Sequence, residues 1–292
     1  MSFFYEEKEG VLLLRCRELL EAGAVHAFST RIGGVSEGPF ESLNLGLSRG
    51  DVPEAVEENY NRFLKAVGAK APVCRVRQVH GKIVHEAPER DARKVFEISA
   101  LFGGLPPRDG DGLMTDRAEV PLMVYYADCM PILLFDPVRR VCAAVHSGWR
   151  GTVLRIAGEA VRRMTERYGS APGNILAAVG PSAGPFRYEV SEEVAAQFMT
   201  EFGEKSGVVL RRAEEARGRY PGLVESEAFV RPHVDLWRAA LCALVEAGVP
   251  ENQVFISGIC TVSEPERYFS HRVMGDRRGN GGAVILLKEE RE

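Results

Sequence analysis

Three short polar segments carry the side chains best suited to chemistry: Gln78-Val-His-Gly81, Ala127-Asp-Cys-Met-Pro131 and His146-Ser-Gly-Trp-Arg-Gly-Thr152. Each sits at the end of an apolar run of strand length, and loops at strand ends are where layered α/β proteins gather ligand-binding groups. His80, Cys129 and His146 would supply two imidazoles and one thiolate, a three-ligand set that suits zinc and leaves a fourth position open. Their spacings of 49 and 17 residues form no local metal motif. Singly, each reads equally as a buried thiol or a hydrogen-bonded imidazole. Cys129 beside Asp128, with histidines elsewhere, also fits a cysteine hydrolase, because a nucleophile and a metal ligand both need thiolate character.

A second chemistry is written into the third segment. Gly148 and Gly151 allow a close turn into a helix whose free N–H groups attract an anion, and Arg150 adds a guanidinium fork, so phosphate fits there. The alternative is an ordinary strand-to-helix turn with Trp149 as a packing plug. The long polar stretch from Phe28 to Gly46 holds Arg31, a candidate for a phosphate or sugar oxygen, and Asn44, a candidate for a base or ribose hydroxyl. A surface arginine and a turn asparagine would serve as well. Gln78 joins Arg31, Asn44 and Arg150 as a candidate substrate or phosphate contact. Neither a Walker A lysine pattern nor G-x-G-x-x-G is present, so nucleoside triphosphates and dinucleotides are not indicated.

Positioning these groups requires a scaffold of alternating strands and helices. Apolar runs predict strands at Val11 to Cys16, Val25 to Ser29, Val73 to Val79, Pro121 to Tyr126, Ile132 to Phe135, Val141 to Val145, Ile175 to Val179, Val254 to Ile259 and Ala283 to Leu287. Helical spacing predicts a helix capped by Thr152 and ending before Gly169, and others over Pro53 to Val67, Glu192 to Phe202 and Val234 to Ala247. Pro137 after Asp136 marks a turn between two antiparallel strands, which makes the sheet mixed. Pro88 to Gly112 and Arg211 to Glu227 read as charged surface insertions.

The 292 residues, 45% hydrophobic, suffice for a core without disulfides, and no repeat or Gly/Ser tract divides them, so residues 1–292 are read as one domain. With 37 Lys+Arg against 41 Asp+Glu, the net charge of −4 has the wrong sign for general phosphate-backbone binding, and no nucleic acid partner is expected. The N-terminus lacks a secretory pattern and no apolar run is long enough to span a bilayer, so the chain reads as cytoplasmic, with no membrane partner. Six scattered cysteines with no C-x-x-C pair exclude a zinc ribbon or thioredoxin motif. Oligomeric state is not legible.

At Ser29-Thr-Arg-Ile-Gly-Gly-Val-Ser, Ser42-Leu-Asn-Leu-Gly, Gln78-Val-His-Gly, Asp109-Gly-Asp-Gly-Leu-Met-Thr, Ala127-Asp-Cys-Met-Pro, His146-Ser-Gly-Trp-Arg-Gly-Thr, Gly180-Pro-Ser, Cys260-Thr and Phe269-Ser-His-Arg, the chain resembles the multicopper polyphenol oxidase (laccase) family. That family is also described as the YfiH purine nucleoside phosphorylases and as peptidoglycan editing factor. The resemblance implies an α/β (α+β) layered sandwich with mixed β-sheet, CNF1/YfiH-like, and a His-Cys-His metal centre falling on His80, Cys129 and His146, holding zinc, with copper possible. It implies phosphorolysis of adenosine, inosine and methylthioadenosine to base and ribose 1-phosphate, with adenosine deamination, so the partners are a purine nucleoside and phosphate. Within that frame Asp128 is the candidate acid or base, and Arg31 and Arg150 are the candidate phosphate ligands. The other readings are phenol oxidation, peptidoglycan-precursor editing and a zinc-bearing interaction protein. Oxidation is set back because a multi-copper site needs many histidines and this chain has 6. Ser147, the Ala183-Gly-Pro-Phe-Arg loop and His271 depart from the family pattern.

Overall fold

The structure is a computed structural model that describes residues 2–69, 73–87, 108–220, 223 and 229–289. The first half runs β1 (Phe3–Lys8), β2 (Val11–Cys16), α1 (Arg17–Glu21), β3 (Ala24–Ser29), α2 (Pro53–Val67), β4 (Val84–Glu86), β5 (Gly112–Thr115), β6 (Leu122–Tyr126), β7 (Met130–Asp136) and β8 (Val141–Ser147). It continues through α3 (Trp149–Val153), α4 (Ile156–Tyr168), β9 (Leu176–Val179), α5 (Glu192–Phe202), β10 (Val209–Leu210), β11 (His233–Val234), α6 (Leu236–Glu246), β12 (Val254–Ile256), α7 (His271–Met274) and β13 (Gly281–Leu287).

Two sheets stack face to face. One is antiparallel throughout, in the order β1-β2-β3-β13-β6; the other, β12-β9-β7-β8-β5-β4, is antiparallel at its centre and parallel at both ends. Phe28, Leu122, Val124 and Ile285 of the first meet Leu133, Phe135, Cys142, Ala144 and Ala178 of the second. Outside the first sheet lies α2, whose Val56, Tyr60, Phe63, Leu64 and Val67 recur at helical spacing and bury against Val25, Met123 and Val284. Outside the second lie α4 and α6, with Ile156, Ala160, Met164, Trp237 and Leu244 packed on Ile132, Leu134 and Val145. The result is an α/β sandwich of four layers containing one mixed sheet, the architecture the resemblance implied. Sheets buried on both faces explain why β7 and β8 read as continuous apolar runs rather than alternating ones. Among the described residues no helix is long and apolar enough to cross a membrane.

Most predicted elements are present within a residue or two, α2 and α5 at their predicted bounds. Ser191 and Asp235 cap α5 and α6 by accepting the N–H of Val194 and of Arg238. Three expectations fail. The predicted strand from Val73 to Val79 makes only single bridges, Cys74 with Leu122 and Arg77 with Asp109, because it crosses between two different neighbours and no ladder propagates. The strand predicted to reach Ile259 stops at Ile256, since its parallel partner β9 ends at Val179, just before Gly180 and Pro181. The helix predicted from Thr152 is two helices: Arg155 adopts φ 57° between α3 and α4, with its guanidinium tied to Glu201 and Glu246. Thr152 is inside α3 and donates its hydroxyl to the Gly148 carbonyl instead of capping. Strands β1, β4, β5, β10 and β11 were not predicted. Of the two predicted insertions, residues 88–107, 221–222 and 224–227 lie outside the described residues.

Candidate metal centre and pocket

The register of the second sheet builds the centre. Pro131 of β7 stands opposite His146 of β8, and Gly112 of β5 stands opposite Val145, so Cys129 and Asp111 flank His146 just beyond the neighbouring strand ends. Side chains alternate along a strand. Cys142 and Ala144 face the other sheet, and His146, two residues further, shares their face; Cys129 shares the face of Leu133, and Asp111 that of Leu113. All three therefore emerge between the sheets, at one open end of the sandwich.

His80, Cys129 and His146 converge there, their ligand atoms all within 4.8 Å of one another. His80 Nε2 lies 3.9 Å from Cys129 Sγ, and the two imidazoles meet edge to face with centroids 4.9 Å apart. Ligand bonds of about 2.0 to 2.3 Å in a tetrahedron set donors roughly 3.5 Å apart, so small rotations suffice to close this set on zinc. Gly148 is required beside it, because a Cβ there would stand 2.6 Å from His80 Cδ2 and 3.2 Å from the Cys129 sulfur.

A buried carboxylate organises the centre. Asp111 Oδ1 accepts from His146 Nδ1 at 2.8 Å and from the His80 N–H at 2.9 Å, while Oδ2 accepts from Gly81 N–H at 2.6 Å and Val79 N–H at 3.3 Å. One side chain thus fixes the turn that presents His80, at φ 60°, and fixes the tautomer of His146, leaving Nε2 as its free donor. Sequence reading passed over Asp111 as the end of a charged insertion. Its signal was an aspartate between two glycines immediately before a buried strand.

Electrostatics favour a thiolate. Burial works to raise the Cys129 pKa, but the charge and hydrogen bond of His146, with those of His80, outweigh it and bring the thiol down to about 6. Burial likewise works to lower His146, and the Cys129 and Asp111 charges overcome it, raising the imidazole to about 9. Metal ligation needs this thiolate and would displace the imidazole proton.

The centre opens on a pocket of about 400 Å³ whose lining includes Gly46, Leu47, Arg49, Gln78, Tyr125, Tyr126, Arg278 and Asn280 as well as the three donors. Gln78 lies in the lining, yet its amide clamps the Tyr125 backbone, donating to its carbonyl and accepting its N–H, so it positions an aromatic wall. Asn44 is buried behind the lining; its Oδ1 accepts from Gly46 N–H and Asn280 N–H, and its amide donates to Asp51. Arg31 is outside the lining, donating to the Glu41 and Pro265 carbonyls and lying over the Phe269 ring. Arg150 is exposed on α3, stacked over Trp149, and also outside the lining. Asp128, at φ 81°, spends one carboxylate oxygen on the Thr261 hydroxyl and the other on the Arg272 N–H. Arg31, Asn44 and Arg150, expected as substrate or phosphate contacts, thus lie outside this lining with their polar groups turned to protein partners or, for Arg150, to the Trp149 ring and solvent. Arg49, Arg278 and Asn280 were missed, since no periodic pattern marks pocket walls drawn from loops, and Tyr125 and Tyr126 were missed because they read simply as the end of an apolar strand.

Residues 25–288 match the family described as multi-copper polyphenol oxidoreductase laccase. The chain is 37% identical over 280 residues, 95% of its own length and 94% of the relative's, to a purine nucleoside phosphorylase of Deinococcus radiodurans. It is 34% identical over 294 residues, 100% of this chain and 98% of the relative, to the purine nucleoside phosphorylase YlmD of Geobacillus stearothermophilus. Among solved structures, the hypothetical protein YfiH of Bacillus licheniformis superposes with a TM-score of 0.81 at 28% identity, covering 97% of this chain and 99% of that one.

Proposed function

From the premise that the chain belongs to the multi-copper polyphenol oxidoreductase laccase family, whose YfiH and YlmD members include named purine nucleoside phosphorylases, we propose that it is a metal-dependent purine nucleoside phosphorylase. It cleaves adenosine, inosine and methylthioadenosine with phosphate, releasing base and ribose 1-phosphate, and deaminates adenosine. The observation that carries this reading is the convergence of His80, Cys129 and His146 on one pocket walled by Tyr125 and Tyr126.

In this reading those three residues hold zinc, and Asp111 keeps His146 in the ligating tautomer. A bound zinc supplies a Lewis acid that polarises a water or a substrate oxygen. The tyrosine wall, locked by Gln78 and by the Tyr60 hydroxyl on Tyr125, gives a flat purine an apolar surface and excludes water from the glycosidic bond. Asp128, the candidate acid or base, accepts from the Thr261 hydroxyl on one oxygen and from the Arg272 N–H on the other. Phenol oxidation is the weaker reading. Of the six histidines only His80 and His146 converge: His26 accepts from Cys16 N–H, and His85, His233 and His271 lie against the carbonyls of Asp109, Arg231 and Gly275. The core that runs between both sheets supports treating residues 1–292 as one domain.

Product chromatography after incubating the zinc-loaded chain with adenosine tests the proposal. With phosphate the expected products are adenine and ribose 1-phosphate; without it, turnover should yield chiefly inosine. Neither base nor deaminated nucleoside from any of the three nucleosides would refute it.

A further inference from the structure

The pocket contains an arginine whose hydrogen-bonding capacity is used only in part among the described residues. Arg278 is only 6% exposed and lines the pocket with Arg49, Asn280 and the metal donors. Its Nη1 donates to the Gly279 carbonyl and to the Asn280 side-chain oxygen, which orients the guanidinium. Its Nε is buried without a partner, and among the described residues Nη2 makes no hydrogen bond. The Nε–Nη2 edge, the one that forks onto two oxygens of a phosphate or carboxylate, is therefore unfilled.

A buried guanidinium with an unpartnered edge is costly and normally answered by a counter-charge. Here none is in contact: among the described residues neither Arg278 nor Arg49 makes an ion pair, and Asp128, Cys129 and Asp276 act on Arg278 only through space. Burial holds the Arg278 pKa down at about 10, and the neighbouring Arg49 charge pushes the same way. Arg49 packs against Gly46, where a Cβ would stand 2.9 Å from the Arg49 Cγ. Gly46 and Asn280 are both held by Asn44, so the buried asparagine ties the Arg49 loop to the Arg278 loop.

We infer that Arg278 and Arg49 form the subsite for inorganic phosphate, on the wall of the pocket that also holds the metal donors. This rests on the phosphorylase reading for its purpose, and it relocates the phosphate from Arg31 and Arg150, which lie outside the lining. The positive pair holds the phosphate dianion beside the site where the ribose carbon loses its base, so the nucleophile and the stabilising charge arrive together. An oxygen of hydrogen phosphate forms the new bond to the ribose C1′ as the bond from C1′ to the purine nitrogen breaks; that electron pair leaves with the base, which takes up the one proton that hydrogen phosphate gives up on becoming the ribose 1-phosphate dianion.

The test is orthophosphate binding by calorimetry to the zinc-loaded chain, paired with phosphate saturation of adenosine phosphorolysis. Arg278→Gln should weaken phosphate by about tenfold or more while leaving the nucleoside KM within about twofold, because charge-assisted fork contacts are lost. Arg278→Lys should recover little, as an ammonium cannot present two parallel donors. Arg49→Gln should weaken phosphate by roughly three- to tenfold and, being half-buried on a loop, decides the matter if Arg278→Gln does not fold. Unchanged phosphate affinity in the folded variants, or a wild-type chain that binds no orthophosphate, overturns the subsite. The two readings fail separately. Phosphorolysis with an unaltered phosphate curve in the variants removes the subsite alone, whereas Arg278-dependent phosphate binding without nucleoside cleavage removes the phosphorylase reading alone.

Discussion

Two imidazoles, one in each sheet, are almost completely removed from water and behave in opposite ways. His26, within β3, is 0% exposed, and His146, at the end of β8, is 3% exposed. His26 accepts the Cys16 N–H on Nε2 and has the Arg15 guanidinium on its own carbonyl; burial, with Arg15 adding to it, drives its pKa down to about 3. His146 meets the same burial but has the Asp111 carboxylate and the Cys129 sulfur beside it, and it rises to about 9. Burial marks neither as functional; the partner does. A neutral, satisfied imidazole is a structural acceptor, whereas one held by a carboxylate and facing a thiolate is built to bind.

The largest effect expected from this contrast is on metal. His80→Ala, Cys129→Ala and His146→Ala should each take bound zinc from about one per chain to nearly none by atomic absorption, since each removes one of three donors. His26→Gln should leave it unchanged. Full zinc retention in all three ligand variants would remove the centre from these residues.

Asp111→Asn comes next. Losing the charge that sets the His146 tautomer, while leaving an amide of the same shape, should weaken zinc about 10- to 100-fold in a competition titration with a chelator. Affinity within a factor of two of wild type would show that the backbone alone holds His80 and His146 in place.

The contrast can be sharpened by pH at the other histidine. The folded-state pKa of His26, about 3, lies below its unfolded value near 6.5, so between them the unfolded chain binds more protons. The contribution of a neutral His26 is therefore complete above about pH 6.5 and declines as pH falls toward 3, by at most about 1.4 kcal/mol per pH unit. Urea midpoints of wild type and His26→Gln should converge between pH 7 and pH 5. Parallel curves would mean that His26 does not titrate differently in the two states.

The smallest effect expected is at Arg150. Its side chain is exposed and stacked on Trp149, so Arg150→Ala should change the phosphate KM by less than about twofold. A tenfold rise would restore the start of α3 as an anion site.

These cases show what was legible in the chain before its fold was known. His80, Cys129 and His146 stood out as rare side chains at strand ends, and apolar runs with proline and glycine punctuation located most of the strands and helices that carry them. Asp111, Arg278 and Arg49 did not stand out, because charged residues beside glycines look alike whether they face solvent or a pocket, and only the strand register and loop packing separate the two. Arg31 and Arg150 stood out for the same reason: a guanidinium in a glycine-rich loop suggests phosphate, and only the fold shows the donors of the first on the Glu41 and Pro265 carbonyls and the plane of the second on Trp149.

The hairpin of β7 and β8 also divides the site into unequal chain closures. Cys129 and His146 meet across 17 residues when one hairpin forms, whereas His80 must be drawn across 49 from Cys129, a difference of roughly 1 kcal/mol in closure entropy. Two donors thus belong to a local structure and the third to a late tertiary contact, made when the turn at Gly81 docks on Asp111. In refolding, amides of the hairpin such as Ile132 and Val145 should gain exchange protection before the Gly81 amide does, and a pulse-labelling order with Gly81 first would contradict it. Until that turn docks, the nascent chain has two donors in place and an incomplete site.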